Sequence, residues 1–323
     1  MSLLDIKNFY LNFSLKEKEV PVLLDINLKI EKGEIHAIVG ESGCGKSVTS
    51  LAITKLLPEN LAIYKSGKIL FNQKNILELD DKQIREIRGK EIAYIFQDPF
   101  TSLNPIKKIK DQIIESYLIH ISQNKKEALE KAEYLLKKVG ITELKERLES
   151  YPAQMSGGML QRISIAMALM CEPSLLIADE PTSALDVTIQ AQLVDLLLKI
   201  QVEQKMSILF ISHDIGLVGS ISQKISVMYA GEIIETGPTR ETLTKPLHPY
   251  TQSLITSIPS LHKDPNQKLT TIFGIVPSLG EYPSGCHFST RCKEVFEKCN
   301  QKPRLFETNA SHVKCFLYAE ECK

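Results

Sequence analysis

The sequence predicts an α/β domain built on a parallel sheet, with an antiparallel β region at one edge, an inserted helical subdomain and a small C-terminal extension rich in cysteine. Three observations carry that reading. Apolar runs of strand length alternate with segments of helical periodicity, and a stretch from about residue 105 to 160 abandons this alternation for helices. Four of the seven cysteines then crowd between residues 286 and 315. With 323 residues, 43% of them hydrophobic, the chain has material for one large core and a smaller one.

The elements follow in order. Leu4, Ile6, Phe9 and Leu11 alternate with polar residues, and VLLDINLKI does the same after a charged turn, so both predict half-buried strands of an antiparallel edge. EIHAIVG, residues 34 to 40, is an apolar run ending in glycine, and SVTSLAITKLL after it has helical spacing: buried strand, loop, helix. In KKEALEKAEYLLKKVG, Leu129, Ala132, Leu135, Leu136 and Val139 recur at three and four, with lysines late and Gly140 as the stop, which predicts an amphipathic helix. MSGGMLQR, residues 155 to 162, opens a further helix through ISIAMALM. SLLIADE, TIQAQLVDLLLKIQVEQ and SILFISHD resume as strand, helix and strand, and ISVMYAGEIIETG reads as a hairpin turning at Ala230 and Gly231. Proline becomes frequent from about residue 238. The boundaries drawn are 1–250 for the main domain, with its helical subdomain at about 100–160, and 251–323 for the extension.

Lysine plus arginine equal aspartate plus glutamate at 39 each, so no net field favours nucleic acid or an anionic bilayer. Lys, Glu, Asp or Pro interrupts every apolar run before it reaches membrane-spanning length. MSLLDIKNFYLNF has no basic start, apolar run and small-residue cleavage site, so no export signal is expected. A reducing compartment follows, in which clustered cysteines point away from disulfides.

Residues 40 to 47, GESGCGKS, fit G-x-x-x-x-G-K-[ST] between a strand and a helix, the context of a phosphate-binding loop. Gly40, Gly43 and Gly45 let backbone amides approach phosphate oxygens, Lys46 reaches the β and γ phosphates, and Ser47 ligates Mg²⁺. Ser42, Cys44 and Val48 complete the nucleotide-contacting set, Cys44 as a small filler without redox role. LLIADE places Asp179 and Glu180 at the C-terminal end of a strand, where open sheets bind ligands. Asp179 suits Mg²⁺ and Glu180 a general base, while His213 ends the next strand within reach of a γ-phosphate. Ser156 is a good N-cap, and Gly157 and Gly158 leave first-turn amides bare, which makes a second anion site.

With IFQDP at 95 to 99, SGGMLQR at 156 to 162, LLIADEPTSALD at 175 to 186 and SHD at 212 to 214, the chain resembles the ATP-binding subunits of ABC transporters. That resemblance implies that Gln97 senses the γ-phosphate and joins Ser47 and Asp179 around Mg²⁺, that Phe13 stacks on adenine, and that Ser183 to Asp186 form a loop crossing a dimer. GESGCGKSVTS, IFQDPFTSLNP, VMYAGEIIETG, HPYTQSL and GIVPSLGEYPSGCHFSTRC resemble in particular the ATPases of dipeptide and oligopeptide importers, the first of the two subunit types such importers use. The implied partners are a second ATPase subunit, different or identical, two transmembrane permease subunits and, indirectly, an extracytoplasmic peptide-binding protein. The implied location is the cytoplasmic face of the cell membrane. Leu160 departs from the arginine common after SGGM and is expected to cost a surface ion pair; Cys322 has no counterpart.

Cys286, Cys292, Cys299 and Cys315 are spaced wider than most zinc ribbons and ferredoxins, and four thiolates suit either Zn²⁺ or an iron–sulfur cluster. The resemblance implies a [4Fe-4S] cluster, with a structural role because the tail looks poor in core-forming residues. Two other functions are compatible with the motifs: a soluble ABC ATPase in iron–sulfur assembly, and an importer of nickel or another small solute.

Overall fold

The computed structural model describes residues 2–16, 18–183, 186–257, 272–308 and 311–319. Along the chain run β1 (Ser2–Leu15), β2 (Lys18–Glu31), β3 (Ile35–Val39), α1 (Lys46–Ile53), β4 (Ala62–Phe71), β5 (Lys74–Asn75), α2 (Asp81–Ile87) and β6 (Ile92–Ile95). Six helices follow: α3 (Pro99–Ser102), α4 (Ile109–Ile113), α5 (Glu115–His120), α6 (Lys125–Lys138), α7 (Leu144–Glu149) and α8 (Gly157–Ala168). Then come β7 (Leu175–Asp179), α9 (Val187–Gln204), β8 (Ser207–Ser212), α10 (Ile215–Ile221), β9 (Lys224–Tyr229), β10 (Glu232–Pro238), α11 (Thr239–Thr244), α12 (Pro249–Thr256), β11 (Phe306–Glu307) and β12 (His312–Val313). The chain forms two compact units, one from 31–33 with 78–211, the other from 2–30, 34–77 and the chain beyond 211.

In the first unit β6, β7 and β8 pair in parallel, with Ile92 opposite Leu175 and Leu175 opposite Ser207. All five residues of β7 and all six of β8 are buried. Strands covered on both faces need apolar side chains throughout, which is why LLIA and ILFI show no alternation. The helical segment packs beside them: α6 buries Ala128, Ala132, Leu135 and Leu136, and the Asn124 side chain accepts hydrogen bonds from the amides of Lys126 and Glu127 at its start. The predicted stripe holds at Ala132, Leu135, Leu136 and Val139, while Ala128 is buried and Leu129 only half-buried.

In the second unit β1 pairs antiparallel with β4, Leu4 opposite Phe71 and Phe13 opposite Ala62, in a sheet ordered β2-β1-β4-β5. β3 pairs in parallel with β9, and β9 turns back antiparallel into β10, so parallel and antiparallel pairing are mixed. Tyr229 faces Glu232 across the turn, where Ala230 and Gly231 have φ 44° and 81°. Positive φ at both central residues is the two-residue hairpin whose twist matches its strands. A Cβ on Gly231 would stand 2.4 Å from the Val22 carbonyl oxygen, so glycine is required there twice over.

Two expectations are corrected. Leu160 is fully buried, so this position belongs to the core of α8 and offers no surface ion pair. The tail is not short of core: Phe306, Val313, Phe316 and Ala319 form a buried apolar cluster with Leu247 and Tyr318 against it. Phe288, 2% exposed, also packs edge-on against Tyr229 and Tyr250 at 5.3 and 5.4 Å. Cys322 and the middle of the Ser183–Asp186 loop lie outside the described residues.

Candidate nucleotide site and cysteine pocket

In the second unit the loop between β3 and α1 carries the glycine-rich motif. A Cβ on Gly40 would meet the Met228 carbonyl oxygen at 2.2 Å, and Gly45, at φ 110°, begins α1 without a capping side chain. The chain thus passes close to β9 and leaves the α1 amides facing the loop. Lys46 is 5% exposed, and its ammonium donates to the carbonyls of Gly40 at 2.9 Å and Glu41 at 3.1 Å. A cation folded over loop carbonyls is ready to exchange them for phosphate oxygens. Ser47 and Val48 are half-buried; Ser42 and Gly43 are exposed. Burial pushes the Cys44 thiol up despite Lys46 beside it, so this cysteine stays a neutral filler. Phe13 is half-buried on β1, and His213 is exposed just after β8, ahead of Asp214, whose carboxylate caps α10 through the Leu217 amide at 3.0 Å.

In the first unit Asp179 ends β7 at 5% exposure, and one carboxylate oxygen accepts from the Tyr94 hydroxyl at 3.0 Å. Glu180 follows with φ 45°, a left-handed conformation that costs a residue with a side chain about 1–2 kcal/mol. The neighbourhood enforces it. The Glu180 amide donates to the Ile211 carbonyl at 2.9 Å, its carbonyl accepts from the Ser183 hydroxyl at 3.1 Å, and the Gln97 amide donates to its carboxylate at 2.9 Å. Gln97 and Glu180, 83 residues apart, are therefore brought together with Asp179 at one strand end. Tyr94 was not singled out in the sequence; one tyrosine on a strand looks like any other half-buried aromatic.

Ser156 caps α8, its hydroxyl accepting from the Met159 amide at 3.3 Å. A Cβ on Gly157 would meet Phe100 at 3.5 Å and one on Gly158 would meet Ile189 at 3.6 Å, both ordinary contacts. Nothing near them among the described residues demands glycine.

Cys286, Cys292, Cys299 and Cys315 line one pocket together with His248, Pro249, Phe288 and Phe316. Burial, and then the neighbouring thiols, push Cys286 up to about 12 and Cys315 up to about 11. Among the described residues, however, no three His, Cys, Asp or Glu side chains gather closely enough to hold a metal ion. The expected preformed metal-binding extension is thus corrected to four thiols around a shared pocket. A cavity of about 510 Å³, lined by His36, Lys224, Glu235 and Lys314 among others, lies at the start of β3, away from the phosphate loop at its end. Among the described residues no helix is long and apolar enough to cross a membrane.

Comparison with known proteins agrees with this architecture. Residues 23–183 match the ABC transporter family, and residues 234–299 match the C-terminal region of oligopeptide/dipeptide transporters. The oligopeptide transport ATP-binding protein OppD of Bacillus subtilis is 44% identical, over 98% of this chain and 88% of its own. The dipeptide transport ATP-binding protein DppD of the same organism is 44% identical, over 97% and 94%. A solved dimeric structure of the bacterial ABC transporter cassette MJ0796 superposes with a TM-score of 0.66 at 27% identity, over 73% of this chain and 99% of that one. The same cassette bound to ADP and phosphate after hydrolysis gives 0.63 at 28%. With a phosphate loop on β3, paired acidic residues ending β7 and relatives of this identity along nearly its whole length, the chain belongs to the ABC transporter family of ATP-binding proteins, in its oligopeptide/dipeptide branch.

Proposed function

We propose that this chain binds and hydrolyses ATP to energise uptake of dipeptides or oligopeptides through a membrane permease. The names of the relatives and the match of residues 234–299 support the cargo, and disfavour iron–sulfur assembly or nickel import. The observation that carries the chemistry is the Gln97–Glu180 hydrogen bond beside buried Asp179. Glu180 acts as the base that takes a proton from the attacking water, Gln97 orients its carboxylate, and Lys46 holds the β and γ phosphates. Ser47, Gln97 and Asp179 supply the hard oxygen donors Mg²⁺ prefers, and the ion neutralises phosphate charge when bound. His213 contacts the γ-phosphate, and Phe13 stacks on adenine through its π-face.

Two such subunits close head to tail, with the amides after Ser156 completing the partner's nucleotide site; the glycines that no neighbour among the described residues requires fit an anion arriving from outside. The partner is a second ATPase subunit, and the pair docks on two permease subunits at the cytoplasmic face of the membrane. In the assembled transporter Glu180→Gln should lower turnover by about 10² to 10⁴ while ATP remains bound, and Lys46→Ala should lose binding as well. Normal turnover by the glutamine variant would remove Glu180 from the role of base.

The cysteine pocket is read as a [4Fe-4S] site. Four soft thiol donors line one pocket, and that donor set together with the tail's likeness to importer ATPases supports a cluster over Zn²⁺. When bound, the cluster would tie Cys286, Cys292, Cys299 and Cys315 together beside His248 and Pro249. Anaerobically purified protein should be brown; a colourless preparation with one zinc per chain would replace iron by zinc.

A further inference from the structure

Arg291 stands between two of the clustered cysteines, immediately before Cys292, and the motif reading assigned it nothing. Its side chain is 3% exposed. Both carboxylate oxygens of Glu41 accept from it, at 2.7 Å and 3.1 Å, a two-pronged pair across 250 residues of sequence. Its remaining donors go to the carbonyls of Phe273 at 2.8 Å and Gly274 at 3.3 Å and to the Tyr229 hydroxyl at 3.3 Å. The guanidinium also lies 5.7 Å from the centre of the Tyr229 ring. Such a fork fixes the orientation of its carboxylate as well as its position.

Glu41 is the second residue of the phosphate loop. Its amide donates to the Tyr250 hydroxyl at 3.0 Å, and its carbonyl accepts from Lys46 at 3.1 Å. Tyr250 and Tyr229 pack on each other at 4.6 Å and on Phe288, two residues beyond Cys286. The cysteine-bearing segment therefore holds Glu41 two ways, by its side chain directly and by its amide through Tyr250, and reaches the adjoining strand through Tyr229. A loop that binds phosphate with backbone amides depends on those amides being held in place beforehand.

We infer that Arg291 is a positioning residue for the phosphate loop, through which the cysteine-bearing segment sets the affinity for ATP. This rests on the loop being the nucleotide site. When the segment is ordered, Arg291 holds Glu41 and the loop is receptive; when Cys292 loses its place, the fork loosens and the loop with it. Coupling between two sites of this kind is usually worth about 5- to 150-fold in affinity.

The test uses the full-length chain, purified anaerobically, with MgATP binding measured by calorimetry and ATP turnover measured in the assembled transporter. Arg291→Gln should weaken MgATP binding at least about fivefold and raise KM, while kcat at saturating ATP stays within about twofold. Loss of folded protein would instead lower kcat and leave KM unchanged. Arg291→Lys should restore only part of the affinity, since an ammonium cannot make the fork. Glu41→Gln should resemble Arg291→Gln, and the double variant should be no worse than either single one; this arm decides the matter if Arg291→Gln does not fold. Cys292→Ser should weaken binding in the natural chain and add nothing in Arg291→Gln. Natural KM and affinity in folded Arg291→Gln and Glu41→Gln, or a Cys292→Ser effect that adds in full to Arg291→Gln, would overturn the inference. Lys46→Ala separates the two readings: if it too bound MgATP normally, the nucleotide site itself would be misplaced.

Discussion

At Glu180 the backbone is held in a conformation its side chain disfavours, and the strain is offset by hydrogen bonds: its amide donates to the Ile211 carbonyl, while the Ser183 hydroxyl and the Gln97 side chain donate to its oxygens. In its proposed role of base Glu180 would have to point at one water molecule, and a residue fixed this tightly points without further ordering when the nucleotide arrives. Gln97→Ala should therefore lower kcat about 10- to 100-fold, the range for losing one hydrogen bond to a charged group. Tyr94 supports Asp179 in the same manner. With Asp179 in its proposed place beside Mg²⁺, Tyr94→Phe should weaken Mg²⁺ activation about tenfold, read as a shift in the Mg²⁺ concentration giving half-maximal turnover.

Among the elements, the hairpin β9–β10 and the strand β2 show how local rules and distant contacts share the work. Gly231→Ala breaks both the positive φ and the 2.4 Å clearance to Val22, so it should lower stability by about 1–3 kcal/mol in thermal unfolding. β2 is tied to the residue after β12 by Lys314, 5% exposed, whose ammonium meets the Asp25 carboxylate at 2.8 Å. Burial resists ionisation of Asp25, but Lys314, Asn27 and Asn8 outweigh it and hold the carboxyl below its usual value. A depressed carboxyl contributes stability that is complete above its unfolded value, about 3.9, and is lost as pH falls through the lower folded value. Lys314→Met should cost about 1–3 kcal/mol at neutral pH, less than a fully buried pair because Asp25 still meets water, and the difference from the natural chain should shrink below about pH 4.

For the whole molecule, the candidate catalytic groups are divided between two units, and the proposed head-to-tail dimer would complete the second anion site. Ser156→Leu should leave MgATP binding by the isolated chain unchanged and lower turnover of the assembled transporter by at least about tenfold, since a lost phosphate donor typically costs more than that. Nucleotide trapped on the isolated chain with SGGMLQR on its own γ-phosphate would defeat the head-to-tail arrangement.

What the sequence determined alone was whatever its neighbours in sequence decide. The phosphate loop, the N-cap at Ser156, the stripe of α6, the turn at Ala230–Gly231 and the acidic pair ending β7 each depend on residues a few places apart, where spacing alone states the geometry. Leu160 misled because SGGM is a motif of the surface, whereas the face of α8 that a residue occupies is settled by what packs on it. Only the tertiary structure decided that Tyr94 supports Asp179 from 85 residues away, that Gln97 reaches Glu180, that the tail has its own apolar cluster, and that Arg291 grips the phosphate loop. Such pairs are set by how strands stack and where a chain returns, and a hydrogen bond between residues 250 apart leaves no periodicity for a linear reading to find.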